Sequence, residues 1–547
     1  MLGRLRAVVL RPGVVLAVSV LVACVFLAVE SRKLYFFGDD WEFLLQRGLN
    51  WDSLMRPHNE HWSFLPVIAF RLMVKIFGIG HYPAYALMPI LLHAACCGLL
   101  YLVMRRNEVA AWPAAIVVIP FAFLCGNLGQ NPLWDFQIGF LGSAAFGLLS
   151  LLSASGDGRT RLVLTWLAMI GSFLSSGMAI PMLVWLGLYV LLRRGLLWAI
   201  VTTAPPGVVY LVWYATYGRE GRAYVPPTSG EKYIEFVATG LGSLWEQVIR
   251  FPGTGGVVLL SLLAVAWLGP LASRERALAL SGGLAAVATF LFIGVSRSGL
   301  GAAAATVSRY SYFGIAFTVP AAAAVCALAA QRLAAHQIER VVAALLVTIA
   351  LVGNGVVQSR TWVVDRARLG RGLRGTLAAT GQLIAQHATF LNQRPSPADN
   401  PNITVDDVAH ALADGQLRRQ PASRPALLAA AAFLQVASGP KDYSLPAAAG
   451  LRSRGLTGKL PRTGCAQLRA GARAHIDLPP TGTGSQILIR SEATTLPAQL
   501  LDGALVSPAV YLPSVPGQPT YVATTASQGT LRINFKRGTV SVCLGTG

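Results

Sequence analysis

Charge is scarce in this chain. Asp, Glu, Lys and Arg together make 13% of its 547 residues, against 54% hydrophobic, and mean hydropathy is +0.54. A soluble globular protein of this length needs far more polar surface, so that class is excluded. Acids are scarcer still: 24 Asp and Glu against 45 Lys and Arg, a net charge of +21. In a soluble chain such an excess points to nucleic acid. Here much of it falls in short loops between apolar runs, where it orients a membrane protein and meets anionic headgroups. Membrane lipids are therefore expected partners and nucleic acid is not. Cysteines number seven. Cys24, Cys96, Cys97, Cys125 and Cys326 lie in apolar runs as small packing residues. Cys465 and Cys543 lie in the polar C-terminal part, where export would favour one disulfide and a reducing compartment two free thiols.

No small-residue cleavage site follows the first apolar stretch, 14–29, although Arg4, Arg6 and Arg11 precede it as in a signal peptide. The stretch reads as an uncleaved first helix with a cytoplasmic N-terminus. Further candidate spans are 82–104, 110–125, 138–154, 162–176, 178–192, 196–214, 255–271, 277–295, 310–330 and 341–357. With the N-terminus inside, each cytoplasmic loop holds at least two arginines: Arg105/Arg106, Arg159/Arg161, Arg193/Arg194, Arg274/Arg276 and Arg332/Arg340. The pattern predicts a polytopic α-helical protein with about eleven transmembrane helices. Residue 358 onward lies outside the cytoplasm.

Two predicted outer loops are long, 31–81 and 215–254. Within the first, segment 64–77 reads as a helix lying in the interface, with Arg71 and Lys75 snorkelling toward headgroups. Residues 358–439 read as a largely helical connector. From about 440, short alternating pieces at 486–490, 530–535 and 539–543, separated by turn residues, predict a mainly-β domain of sandwich type. The chain shows no solenoid-like repeat.

The first outer loop opens Phe36-Phe37-Gly38-Asp39-Asp40-Trp41-Glu42, three acids within four residues. Adjacent carboxylates raise each other's pKa and are unfavourable unless something binds them. They are equipment for taking a proton from a hydroxyl or holding a divalent cation, against the plainer reading of a solvated loop start. The loop continues Arg56-Pro57-His58-Asn59-Glu60-His61-Trp62. Its His-x-x-His with a glutamate between is not the zinc-protease motif; it reads as pocket lining, as hydrogen-bonding residues at the membrane interface or as part of a metal site. Arg309-Tyr310 opens a late span. Arg309 suits a phosphate held by bidentate hydrogen bonds, or a plain interfacial anchor with Tyr310 in the aromatic belt. Loop 215–254 offers Arg219, Glu220, Arg222, Glu231, Lys232, Glu235, Glu246 and Arg250, none singled out.

Together these residues resemble the GT-C superfamily of membrane glycosyltransferases, which includes protein O-mannosyltransferases and lipid A aminoarabinose transferases. The resemblance covers roughly 1–357 and rests on order and topology. One span leads to a long outer loop opening with an acidic pair, here Asp39-Asp40 where many members have Asp-Glu. A Gly-x-x-x-Pro turn, Gly177 to Pro181, joins two mid-chain spans. An Arg-Tyr pair, Arg309-Tyr310, opens a late span with Pro320 further in. It implies an inverting transfer of a sugar from a polyprenyl phosphate to a glycan, lipid or protein acceptor at the outer face of a bacterial plasma membrane. Asp39 or Asp40 is then the general base, Arg309 with Tyr310 holds the donor phosphate, and Glu42, His58, Glu60 and His61 line the pocket. No cofactor is implied beyond a possible divalent cation. Two other classes remain open, a transporter or lipid flippase and a non-catalytic envelope-assembly protein. The first calls for intramembrane charge or inverted repeats, and the apolar spans are almost free of ionisable groups and show no such repeat.

Overall fold

A computed structural model describes residues 11–544 except 126–127, 222–227, 333–336, 398–399, 401, 441 and 482. Arg4, Arg6 and Arg222 lie outside the described residues. The chain divides into two compact units. One comprises residues 1–34, 47–77 and 81–367, the other 35–46, 78–80 and 368–547.

The first unit is helical. Helices stand at all eleven predicted apolar runs, from Pro12–Ser31 through Tyr82–Arg106 to Gln337–Ala385. Among the described residues, seven are by themselves long and apolar enough to cross a membrane. An eighth span results if Gly230–Ile249 and Thr254–Leu268, which meet at 94°, count as one. The protein is thus a multi-pass membrane protein. Large apolar side chains cover its outside, among them Leu21, Leu197, Leu211, Leu260 and Leu346. Such a surface is unfavourable in water and suited to lipid. Inside, small residues let the helices close up. Ser172 donates to the Ser143 carbonyl oxygen at 2.7 Å, and a Cβ at Gly147 would lie 2.5 Å from the Met182 Cε.

Loops of this unit fall into two sets that touch within themselves. In one set Asn107 donates to Ser155 Oγ at 3.1 Å, Arg194 pairs with Asp157 at 2.8 Å, and Arg274 with Glu108 at 3.5 Å. In the other, segments 55–61, 173–177, 217–221 and 297–309 meet. Trp213 Nε1 donates to the Met55 carbonyl oxygen at 2.9 Å, and Arg297 pairs with Glu60. Four of the loops predicted for one side, 105–109, 155–161, 193–195 and 272–276, make the first set, and parts of the long loops predicted for the other side, 55–61 and 217–221, belong to the second.

One element departs from expectation. Half of the polar loop 215–254 is a 20-residue helix, Gly230–Ile249, begun by Ser229, whose side chain caps the Lys232 amide. Phe236, Gly240, Leu244 and Val248, four apart, form its buried stripe. The helix Phe64–Phe77 is where it was expected. Lys75 on it is exposed, whereas Arg71 is half-buried beside Tyr85, which also feels the charge of Asp135.

Among the described residues the second unit contains the end of the 49-residue helix Gln337–Ala385, helices Val405–Ala413 and Arg424–Leu434, and ten strands. These are β1 Val436–Gly439, β2 Arg452–Thr457, β3 Gly464–Leu478, β4 Ser485–Ser491, β5 Thr495–Asp502, β6 Leu505–Val506, β7 Val510–Pro513, β8 Pro519–Thr524, β9 Thr530–Phe535 and β10 Gly538–Leu544. They form one continuous antiparallel sheet in the order β1-β8-β4-β10-β3-β9-β5-β6, with β2 on β3 and β7 on β5. A sandwich of two separate sheets was expected. The long β3 instead serves both halves: Gly464–Ala470 pairs with β10 and Ala474–Leu478 with β9. Alternate residues Leu468, Ala470, Ala474, Ile476 and Leu478 of β3 enter one core with Leu531 and Ile533 of β9 and Leu428 of helix Arg424–Leu434. That helix, expected in the connector, is thus part of the β unit. Cys465 and Cys543 stand opposite each other on β3 and β10 and are joined by a disulfide.

Candidate active-site groups in the two units

The acidic segment belongs to the second unit. Loop 31–81 was expected to lie wholly with the membrane domain, yet residues 35–46 pack with 368–547. Gly38 adopts a left-handed backbone (φ 61°) and donates its amide to Asn400 Oδ1 at 2.7 Å. Gln46 reaches the Asn402 carbonyl oxygen at 2.6 Å and Asp407, and Arg374 lies 4.4 Å from the Tyr35 ring centroid. This anchoring separates the two aspartates. Asp40 is fully buried and accepts a hydrogen bond from the Phe37 amide at 2.8 Å, so its carboxylate closes the turn. Asp39 and Glu42 are half-exposed.

The first unit gathers a different set. His58 and His61 face each other across a four-residue turn closed by reciprocal backbone hydrogen bonds of 3.0 and 2.9 Å. Asn59 takes the left-handed position the turn requires (φ 50°), which asparagine tolerates better than most residues. The His58 ring packs edge-on to Phe136 and the His61 ring to Phe140. Glu60, between them, forms an ion pair with Arg297 at 2.5 Å. His61 also feels Arg297 and Arg309. Arg309 itself begins helix Ser308–Arg332, its guanidinium 5.2 Å from the Tyr310 ring centroid, and has no carboxylate partner among the described residues. Two guanidiniums against one carboxylate leave a positive excess that suits an anion.

Burial pushes the His61 imidazole down to about 4. Glu60 pulls the other way, and His58, Arg297 and Arg309 add to the depression. The ring is therefore neutral near pH 7. A free histidine takes its proton near 6.5. Acid therefore favours the unfolded chain as pH falls from about 6.5 to about 4, and this contribution to stability is fully present only above that window. Arg297→Gln removes one opposing charge and releases Glu60, so the ring should titrate at higher pH. NMR titration of the His61 ring reads this directly, and an unchanged titration midpoint would show that the ring does not feel Arg297.

Sequence reasoning passed over several groups of this site. Gly177 enters the sequence reading only through its Gly-x-x-x-Pro turn. A Cβ there would lie 2.7 Å from His61 Nδ1, a nitrogen that is buried with no hydrogen-bond partner among the described residues. Segment 130–137 drew no attention, yet Asn131 donates to the Arg309 carbonyl oxygen at 3.4 Å and Gln130 accepts from Ser308 at 3.2 Å. Its Asp135 is fully buried. Arg297 was lost at the end of a span. The signal available was polarity out of place: Gln130, Asn131, Asp135 and Gln137 within eight residues between apolar runs.

Among the described residues no three His, Cys, Asp or Glu side chains converge, and Glu60 is engaged by Arg297.

No protein-family model matches the sequence, and no curated protein matches it. Among solved structures the chain is similar to two of ArnT from Cupriavidus metallidurans. The apo crystal structure is 15% identical with a TM-score of 0.44, covering 77% of this chain and 91% of that one. The crystal structure bound to undecaprenyl phosphate is 16% identical with a TM-score of 0.42, covering 68% of this chain and 80% of that one. Both measures are low, and no residue role follows from them.

Proposed function

We propose that this protein is a membrane glycosyltransferase that moves a sugar from a polyprenyl-phosphate donor to an acceptor hydroxyl, with inversion at the anomeric carbon. The observation that carries the reading is Arg309, which heads a membrane helix beside a neutral imidazole and has no carboxylate partner among the described residues. A guanidinium so placed suits a lipid phosphate, and Tyr310 stacks against it. The reaction asks for a base, and Asp39 supplies it. Of the acidic pair it is the half-exposed member, while Asp40 is held by its own loop. Asp39 takes the acceptor proton as the hydroxyl oxygen attacks C1. The C1–O bond to phosphate breaks, and Arg309 stabilises the departing lipid phosphate. Glu42, His58, Glu60 and His61 bind and orient sugar hydroxyls.

The test is envelope glycan analysis of a strain lacking this protein. One sugar should disappear from one glycan, lipid or protein class, and a full complement of sugars would sink the reading.

The reading places the N-terminus in the cytoplasm and the β unit outside it, in a bacterial plasma membrane. The arginine pattern and the two sets of loops support this orientation. Outside the cytoplasm the Cys465–Cys543 bridge persists. In protein taken from cells and unfolded without reductant, neither cysteine should label with a thiol reagent. Removing the bridge should cost the β unit about 2–4 kcal/mol in urea unfolding. Full labelling of both cysteines would put the β unit in a reducing compartment.

A further inference from the structure

The loop set away from His61 contains a cleft of about 500 Å³ between the first turn of helix Arg159–Ser175, the last turn of Ala179–Arg194 and the start of Leu196–Thr216. Four arginines line it, Arg159, Arg161, Arg193 and Arg194, against a single acid, Asp157. Only Arg194 is spent on structure. It donates to the carbonyl oxygens of Ala154 and Gly156 at 3.2 and 2.7 Å and pairs with Asp157, whose side chain is 90% exposed. The side chains of Arg159, Arg161 and Arg193 have no hydrogen bond or ion pair among the described residues. Arg161 lies folded over Gly156, where a Cβ would sit 2.5 Å from its Cδ. The unpaired amides opening helix Arg159–Ser175 add their partial positive charge at the same point.

Deeper in, the wall turns apolar with Leu162, Val190 and Trp198. Leu164, Leu167, Leu197 and Ile200 then continue along the outward, lipid-facing sides of the same helices. The geometry points to an anionic phospholipid as the occupant: its phosphate lies among Arg159, Arg161 and Arg193, Trp198 sits at headgroup depth, and the acyl chains follow helices Arg159–Ser175 and Leu196–Thr216. Charge complementarity calls for the anion, and the apolar continuation calls for a lipid rather than a small ion. The site is separate from the glycosyl-transfer groups and does not depend on that reading.

The test uses the full chain, delipidated in neutral detergent, with thermal unfolding and native mass spectrometry as readouts. Phosphatidylglycerol should raise the unfolding midpoint saturably and remain bound. Phosphatidylcholine and inorganic phosphate at equal concentration should do neither. The triple variant Arg159→Gln/Arg161→Gln/Arg193→Gln should bind phosphatidylglycerol about tenfold or more weakly. Arg106→Gln, a charge outside the cleft, should not change binding. Equal binding by the triple variant overturns the proposal, as does equal weakening in Arg106→Gln. Equal stabilisation by phosphatidylcholine, or saturation by inorganic phosphate, also overturns it. Should the triple variant not fold, Arg161→Gln decides, since unchanged phosphatidylglycerol affinity there rejects the site.

Discussion

Asp39→Asn is expected to reduce sugar transfer by about 10²–10⁴-fold, the usual contribution of a general base, while leaving donor binding and folding nearly intact. The amide has the shape of the carboxylate but cannot accept a proton. The neighbouring substitution should behave differently. Asp40 is buried, and its oxygen closes the turn on the Phe37 amide. Asp40→Asn should therefore lower yield and thermal stability more than turnover per folded molecule. Transfer, donor binding and unfolding midpoint measured on both variants separate the roles. If Asp40→Asn abolishes transfer in a stable protein and Asp39→Asn does not, the two exchange places. If both retain near-normal transfer, neither is the base and the glycosyltransferase reading loses its chemical centre.

Arg309→Lys is the second large effect. Lysine retains the charge but loses the planar fork that meets phosphate bidentately, and it stacks less well on Tyr310. Loss of a charge-assisted hydrogen bond, about 1.5–3 kcal/mol, corresponds to roughly 10- to 100-fold. It should appear in donor affinity and turnover together, because the same oxygens carry more charge as the bond to C1 breaks. Normal binding and turnover would make Arg309 an interfacial anchor. The search would then move to Arg219 and Arg250. Arg250 donates to Asn354 Oδ1 at 3.1 Å and lines a cavity of about 420 Å³ with Gln247, Thr306 and Gln358.

What could be read in advance followed from patterns that survive tertiary context. Apolar runs between arginine-bearing loops locate helices because lipid permits little else. Alternation at 486–490, 530–535 and 539–543 located β4, β9 and β10. What could not be read depends on packing partners distant in sequence. Helix Gly230–Ile249 hides a one-residue-in-four apolar stripe among Glu231, Lys232, Glu235 and Glu246, and the charges dominate a window average. Asp39 and Asp40 are equivalent in sequence and become different only when Asn400, 362 residues from Gly38, fixes their turn. Gly177 becomes necessary only where His61 leaves no room for a Cβ. The single sheet replaced the expected sandwich because one 15-residue strand, β3, reaches both halves, and strand length shows poorly when Gly471 interrupts the alternation.

The place of β10 sets the order in which the β unit can be made. It follows the nine other described strands in the chain, yet it lies in the middle of the sheet between β4 and β3 and carries Cys543. A ribosome delivers β1 through β9 before it, so during synthesis the unit waits as two incomplete half-sheets with open edges and a lone thiol at Cys465. Such edges invite pairing with other chains. Completion comes in one late step, and a premature stop a dozen residues before 544 would remove the centre of the sheet rather than trim its rim. Truncated chains should accordingly be cleared by proteolysis or held by chaperones rather than accumulate as shortened protein.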